Sequence, residues 1–468
     1  MTLDVDSGSR DGGGQVGVVF DTVVRVDGAP WVRLFFADTV LPSGSRLMLT
    51  AVDDHAVQRH DAASLRAYGA SSCRFNGSAV RVQLWAGAAT RGNRVRVVRA
   101  ECGAESPTAP SLCGANDRRV ATADRRIARL SVGCTGFLVS ADVLITAGHC
   151  ASQASHVIAS FNVPPSSPSG ELRMASPNDQ YAMLATGFQR LNGGVGADWA
   201  IGRLAPNSNT GLRPGDAQGG WMRIGAVPAQ PGSEAIRVIG YGITTPLGVL
   251  NRAQKSHVGP LVGIAPTALH YRTDTSTGDS GSPLLLERTG DVLGIDTQDG
   301  CAAAPTTSFN SGTRIDRGDL QTAVQGLVRN YGSILPLGHG CAGTRGVADL
   351  VGGGTPRLGG ALFLHAARVP NRAASLLLIG DSSTAWGSIP LPLPLGFLGM
   401  TGCTLWVSGE VPLWRIIPED GDVLAWFTVP NDPRLVDGKV FCQLICPDPA
   451  ANPNGAVATN AVEVTIGR

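Results

Sequence analysis

Lysine is nearly missing from this chain. Of 468 residues only Lys255 and Lys439 are lysines, so arginine carries the basic charge, and the formal net charge is just +1. Charged residues make up 16% of the sequence and the arginines are interleaved with acids. That leaves no basic stripe of the kind nucleic acid requires and excludes it as a partner. Long apolar runs are missing too. The longest, around Ile389 to Met400, is interrupted by Pro390, Pro392 and Pro394 and is too short to span a bilayer, so no membrane span is expected. Helical periodicity is scarce, which argues against a helical bundle. No Cys-x-x-Cys or Cys/His spacing of a zinc site occurs, and no metal or other cofactor is expected.

What is present is β-patterned. Glycine (61) and proline (30) punctuate short alternating apolar runs, the pattern of sandwiches and barrels. The length suits two or three domains, and three fit best. We expect a flexible polar tail at 1–14, an N-terminal β-sandwich at 15–107, a middle domain at 108–334 and a C-terminal β-sandwich at 335–468. Strands are predicted at Gly17–Phe20, Trp31–Phe36, Arg46–Leu49, Val80–Trp85 and Val95–Val98, and in the last domain at Ser375–Ile379, Leu405–Val407 and Val423–Val429. Glu105–Pro110 reads as a linker. Near the end of the middle domain, Leu320, Val324, Leu327 and Val328 fall on one helical face.

Two distant strings carry chemistry: Thr146-Ala147-Gly148-His149-Cys150 and Gly278-Asp279-Ser280-Gly281-Ser282-Pro283. A serine hydroxyl is a poor nucleophile until an imidazole takes its proton, and the imidazole needs an acceptor on its other nitrogen. Asp198, in Gly196-Ala197-Asp198-Trp199-Ala200-Ile201, is the best carboxylate between the two strings. The glycines of the second string suit an oxyanion hole, in which backbone N–H groups point outward from a tight turn.

The order His149, Asp198, Ser280 is the chymotrypsin-like order, and the segment from about Cys113 to Gly332 resembles a bacterial trypsin-like serine peptidase. The resemblance implies a two-barrel domain with His149 as general base, Asp198 as its orienter and Ser280 as nucleophile. Gly278 and Ser280 are then the oxyanion donors and Cys134–Cys150 a disulfide bracketing the histidine loop. By the same resemblance Cys113 pairs with Cys301, which leaves Cys73–Cys102 to staple the first domain; connectivity among Cys341, Cys403, Cys442 and Cys446 stays open. The flanking sandwiches are similar to modules attached to secreted bacterial enzymes.

Trypsins bury the aspartate before the nucleophile against a freed N-terminal amine. Here Asn116-Asp117-Arg118-Arg119 is closer to the start of bacterial glutamyl endopeptidases, so Arg118 or Arg119 is expected to pair with Asp279 instead. The residue six before the nucleophile, Asp274, implies a preference for arginine or lysine before the scissile bond. In glutamate-cleaving relatives a histidine follows the downstream Gly-Ile, and here Gly294-Ile295 is followed by Asp296, which would make the pocket doubly acidic. Thr297 is expected to border the pocket and help hold Asp198.

Protein or peptide substrates follow from this reading. Paired cysteines predict an oxidising compartment, so we expect a secreted, periplasmic or cell-surface location, although Met1–Gly14 carries no apolar signal-like run. Two alternatives accompany the endopeptidase reading: a silent protease fold acting as a binding or adhesion protein, and a first domain serving as a detachable pro-segment.

Overall fold

A computed structural model describes residues 1–103, 110–302, 307–328, 332–417 and 424–467. The expected linker therefore lies outside the described residues, apart from Pro110. By internal contact the chain divides into two compact units, Met1–Val328 and residues 329–468. Among the described residues no helix is long and apolar enough to cross a membrane.

The first unit begins with a sandwich of two four-stranded sheets, ordered Thr2–Asp6, Arg96–Glu101, Trp31–Phe36, Phe75–Asn76 and Gly17–Arg25, Ala79–Ala86, Arg46–Ala51, Val57–His60. Period-two alternation turns Val32, Leu34, Leu47, Leu49, Val80, Val82 and Leu84 inward, all fully buried. The tail expected at 1–14 is corrected here. Thr2–Asp6 pairs antiparallel with Arg96–Glu101, and its outward aspartates find arginines, Asp6 with Arg94 at 2.5 Å and Asp4 with Arg96 at 3.0 Å. Cross-strand opposite charges of this kind favour pairing.

The expected Cys73–Cys102 bridge is also corrected: both are free thiols. Cys73 precedes Phe75–Asn76 and Cys102 follows Arg96–Glu101, and the Trp31–Phe36 strand runs between those two. Two strand spacings amount to roughly 9.5 Å, beyond the reach of a disulfide.

Two antiparallel barrels follow. The first is an open sheet ordered Gln180–Ala182, Ile158–Ser160, Ile127–Leu130, Cys134–Leu138, Val143–Thr146, Asp198–Arg203, Gln189–Asn192. In the second, Lys255–Ile264, Ala235–Gly240, Pro283–Leu286, Val292–Gln298, Asn310–Arg314 and Ala268–Tyr271 close on themselves as six strands, because the last pairs back onto the first. The helix Gly318–Leu327 lays Leu320, Ala323, Val324 and Leu327 on the core that the first barrel contributes. Each such burial contributes about 1.5–3 kcal/mol for a leucine or valine. Asp319 in its first turn suits the positive end of the helix dipole.

Between the sandwich and the barrels the chain hugs the second barrel. Pro110–Ser111 pairs with Thr275–Ser276, and Val120–Ala121 pairs with Ser256 and Lys255. This path delivers Arg118 and Arg119 to the serine turn. The sandwich itself rests on the first barrel through amide groups that imitate strand pairing. Gln180, fully buried, accepts from the Arg74 N–H at 2.9 Å and donates to the Arg74 carbonyl at 2.8 Å. The Tyr68 hydroxyl donates to the Gln180 carbonyl at 2.8 Å, and the Met174 N–H donates to Asn76 Oδ1 at 2.7 Å.

The second unit is a sandwich in its own right. Gly332–Leu337, Ala456–Ile466, Lys439–Pro447, Ala374–Gly380 and Val411–Ile416 form one sheet; Asp349–Gly354, Ala361–Ala367 and Ala425–Thr428 form another. The division falls after Val328 rather than after residue 334, because Gly332–Leu337 is a strand of this sandwich. Cys341 and Cys403 are bonded, whereas Cys442 and Cys446 are buried thiols whose burial pushes their pKa up to about 12 and about 11.

Candidate active site

The histidine turn is built by close approach. The Val143–Thr146 strand runs into a single 3-10 turn, Gly148–Cys150. A Cβ on Gly148 would come within 1.9 Å of the Leu191 carbonyl oxygen and 2.7 Å of that of Trp199, so only glycine lets the turn sink between its neighbouring strands. Cys134–Cys150 bonds the turn to the barrel. Asp198 opens the Asp198–Arg203 strand and is fully buried. One of its carboxylate oxygens accepts the His149 backbone N–H at 2.9 Å, and the other lies 2.6 Å from His149 Nδ1. With a carboxylate on Nδ1, the neutral imidazole carries its hydrogen there and offers the Nε2 lone pair.

The serine turn comes from the other barrel and is pressed against this one. The Ser280 carbonyl accepts from the Thr135 N–H at 2.9 Å. A Cβ on Gly281 would meet the Thr135 carbonyl oxygen at 2.1 Å, Thr146 Oγ1 at 2.2 Å and the Ala147 nitrogen at 3.0 Å. Ser280 thus sits beside the strand end that carries His149. No hydrogen bond joins Ser280 to His149 among the described residues. Such contacts are often long before substrate binds.

The two backbone donors are framed by their neighbours. The Thr277 carbonyl accepts from the Ile243 N–H at 3.1 Å, and the Asp279 carbonyl accepts from the Ser282 N–H at 2.8 Å. A trans peptide points its N–H opposite its carbonyl, so the Gly278 and Ser280 N–H groups face the other way. Neither takes part in the described hydrogen bonds, and Gly278 holds φ +106°, a conformation that suits glycine.

Several expectations are corrected. Asp274 is fully buried but is not an open anion. Arg118 reaches it through Nε at 3.0 Å and Nη2 at 2.9 Å, and the backbone N–H groups of Arg118 and Cys113 add 3.0 and 2.9 Å bonds. Burial works against its charge, yet Arg118 outweighs it and holds the carboxyl below the usual range. Asp296 is buried, accepts from the Tyr271 hydroxyl, and is pushed well above the carboxylate range by desolvation. Burial thus disfavours a second pocket charge at this position. Thr297 donates to the Ser311 carbonyl at 3.4 Å instead of serving Asp198. Thr313 does that work: its hydroxyl accepts the Asp198 N–H at 3.2 Å and donates to the Asp198 carbonyl at 2.8 Å. Sequence reasoning missed Thr313 because a threonine within a strand carries no local signal.

Arg118→Met tests the Asp274 pairing. The depressed carboxyl contributes stability that is fully present above about pH 4 and lost as pH falls through its folded pKa. The Arg118 side chain is 52% exposed, so the variant should be less stable by only about 1–2 kcal/mol at pH 7. That deficit should fade on acidification. Chemical denaturation at pH 7 and pH 3 measures it, and a deficit that does not shrink at pH 3 contradicts the pairing.

Cys113–Cys301 is also bonded. With the two-barrel frame and the facing turns described, the chain contains a serine-peptidase fold. Residues 134–295 match the family model of the trypsin-like peptidase domain, so this part of the chain is a trypsin-like peptidase domain. No curated protein matches the chain. Among solved structures, that of a Glu endopeptidase in complex with MPD is similar at 19% identity, covering 46% of this chain and 98% of the other, with a TM-score of 0.36. The matched residues include His149, Asp198 and Ser280 but neither Arg119 nor Thr313.

Proposed function

We propose that this chain is an exported serine endopeptidase that hydrolyses peptide bonds through His149, Asp198 and Ser280. The reading rests on one observation above all: a fully buried carboxylate engages both the backbone N–H and the Nδ1 of a half-exposed histidine, beside a turn with two uncommitted N–H groups. Ser280 Oγ bonds to the scissile carbonyl carbon while its proton passes to His149 Nε2. The carbonyl oxygen takes the negative charge beneath the Gly278 and Ser280 N–H groups. Collapse of this intermediate breaks the C–N bond, and the proton on Nε2 goes to the departing amine. Water then repeats the sequence, giving its proton to His149 and its oxygen to the acyl carbon, and Ser280 is released.

Three disulfides support an oxidising, extracellular or periplasmic compartment. Preference for arginine or lysine is not part of the proposal, since Arg118 and Tyr271 already occupy Asp274 and Asp296. A fluorophosphonate probe on the full chain tests the reading, with peptide-library hydrolysis beside it. The wild type should label and cleave, and Ser280→Ala should do neither. A wild type that neither labels nor cleaves leaves the silent binding protein standing.

A further inference from the structure

We infer that the outer face of the three-stranded sheet in the second unit binds an uncharged oligosaccharide, a function separate from hydrolysis that would tether the chain to a glycan. The residues concerned lie outside the matched peptidase domain, so the inference holds whether or not Ser280 is reactive. In the sheet of Asp349–Gly354, Ala361–Ala367 and Ala425–Thr428, Leu350, Leu362, Leu364 and Ala425 turn into the core. Period-two alternation therefore sends Val351, Gly353, Phe363, His365, Trp426 and Thr428 outward. Trp426 is 66% exposed and Val351 48%.

These side chains are arranged, not scattered. The register puts Gly353, Phe363 and Trp426 in one row across the three strands, with Val351 opposite His365 in the next. A Cβ on Gly353 would come 2.4 Å from Phe363 Cζ, so the Phe363 ring lies down across the glycine backbone instead of standing off the sheet. Trp426 meets it with ring centroids 5.2 Å apart and planes at 53°. The two rings make a shallow apolar trough. Around it, the Trp426 indole N–H, the His365 ring and the Thr428 hydroxyl make no hydrogen bond among the described residues, and so stay available to a ligand.

A sugar ring matches that combination, because its axial C–H groups stack on an aromatic face while its hydroxyls reach polar groups at the edge. Charge and size exclude the other occupants. No lysine or arginine falls on the outward positions of the three strands, and the carboxylate there, Asp349, is matched by Arg368 at 3.1 Å. A phosphate backbone or an anionic bilayer therefore finds no counter-charge. Three strands about 4.8 Å apart, the longest of seven residues at about 3.3 Å each, cover on the order of 300 Å². A stable protein interface needs roughly 800 Å² from each partner. Trp414, 70% exposed on the other sheet, has no ring beside it among the described residues and serves as a matched control.

Isothermal titration of the full chain with cellohexaose, chitohexaose, laminarihexaose and maltohexaose tests this, beside phosphatidylcholine vesicle binding and sedimentation velocity. At least one sugar should bind saturably. Trp426→Ala should weaken that binding by about tenfold or more, a stacked tryptophan being a hot-spot contact, with the melting temperature unchanged because the side chain is exposed. Gly353→Ala, which lifts the Phe363 ring without removing an aromatic, should weaken it too and carries the test if the Trp426 variant does not fold. Trp414→Ala should bind as wild type does. Failure of all four sugars to bind overturns the inference, and so does a folded Trp426→Ala that binds within about threefold of wild type or a Trp414→Ala that loses as much. Self-association or vesicle binding that depends on Trp426, in the absence of sugar binding, assigns the face to another partner and overturns it as well. Fluorophosphonate labelling is read separately, so none of these results bears on the peptidase reading.

Discussion

Asp198→Asn is expected to lower kcat by about four orders of magnitude while the chain stays folded, the loss that follows when a buried triad aspartate becomes its amide. The reason is the tautomer. Asp198 meets one N–H donor with each carboxylate oxygen, and an amide has only one oxygen. If that oxygen keeps the His149 backbone N–H, the new NH2 faces Nδ1 and donates to it. The ring hydrogen then moves to Nε2, where a lone pair is required. Volume is unchanged and Thr313 still holds the Asp198 backbone, so melting temperature should move little. Steady-state hydrolysis and the rate of fluorophosphonate labelling should fall together. A loss below tenfold would show that Asp198 does not orient the base.

Gly278→Ala is expected to lose about 10²- to 10³-fold in kcat with KM nearly unchanged. The residue sits at φ +106°, where an L side chain is strained, and the added Cβ would come 1.8 Å from Arg252 Nη1 and 2.8 Å from the Tyr241 carbonyl oxygen. Arg252 Nη1 donates to the Gly133 carbonyl at 2.7 Å and can shift; the Tyr241 carbonyl cannot. Relief therefore comes from rotating the 277–278 peptide, which swings its N–H away from the cleft. Affinity for a peptide boronate, which mimics the tetrahedral oxyanion, should drop in step with kcat/KM. Unchanged boronate affinity would remove Gly278 from the hole.

What the sequence made legible was contiguous. His149 and Ser280 each sit in a string whose neighbours are dictated by chemistry, and the buried Asp198 stands out because a carboxylate opening an apolar strand needs a reason. The alternation of the sandwiches and the face of the Gly318–Leu327 helix were equally readable. Polar contacts between remote residues were not. Arg118 and Asp274 are 156 positions apart and Thr313 and Asp198 are 115 apart, and no local spacing announces either pair. The charge of Asp274 was visible, but its neutralising partner was not, so the expected pocket anion was wrong. The resemblance of Asn116-Asp117-Arg118-Arg119 to the start of glutamyl endopeptidases implied an ion pair with Asp279 without saying which arginine would form it; the backbone path from Pro110 to Ala121 brings Arg119 there. Asp4 and Asp6 concealed a strand because glycines follow them, and only Arg94 and Arg96 across the sheet explain it.

The amide clasp between Gln180, Arg74, Tyr68 and Asn76 has one more implication. These bonds are mostly buried and join residues about a hundred positions apart, so a nick in the 104–109 segment removes none of them. Two fragments cut there would travel as one particle. The leading sandwich then behaves as a permanent splint on the histidine barrel, and a cut in that segment would change the molecule's mass pattern on a denaturing gel without changing its size in solution.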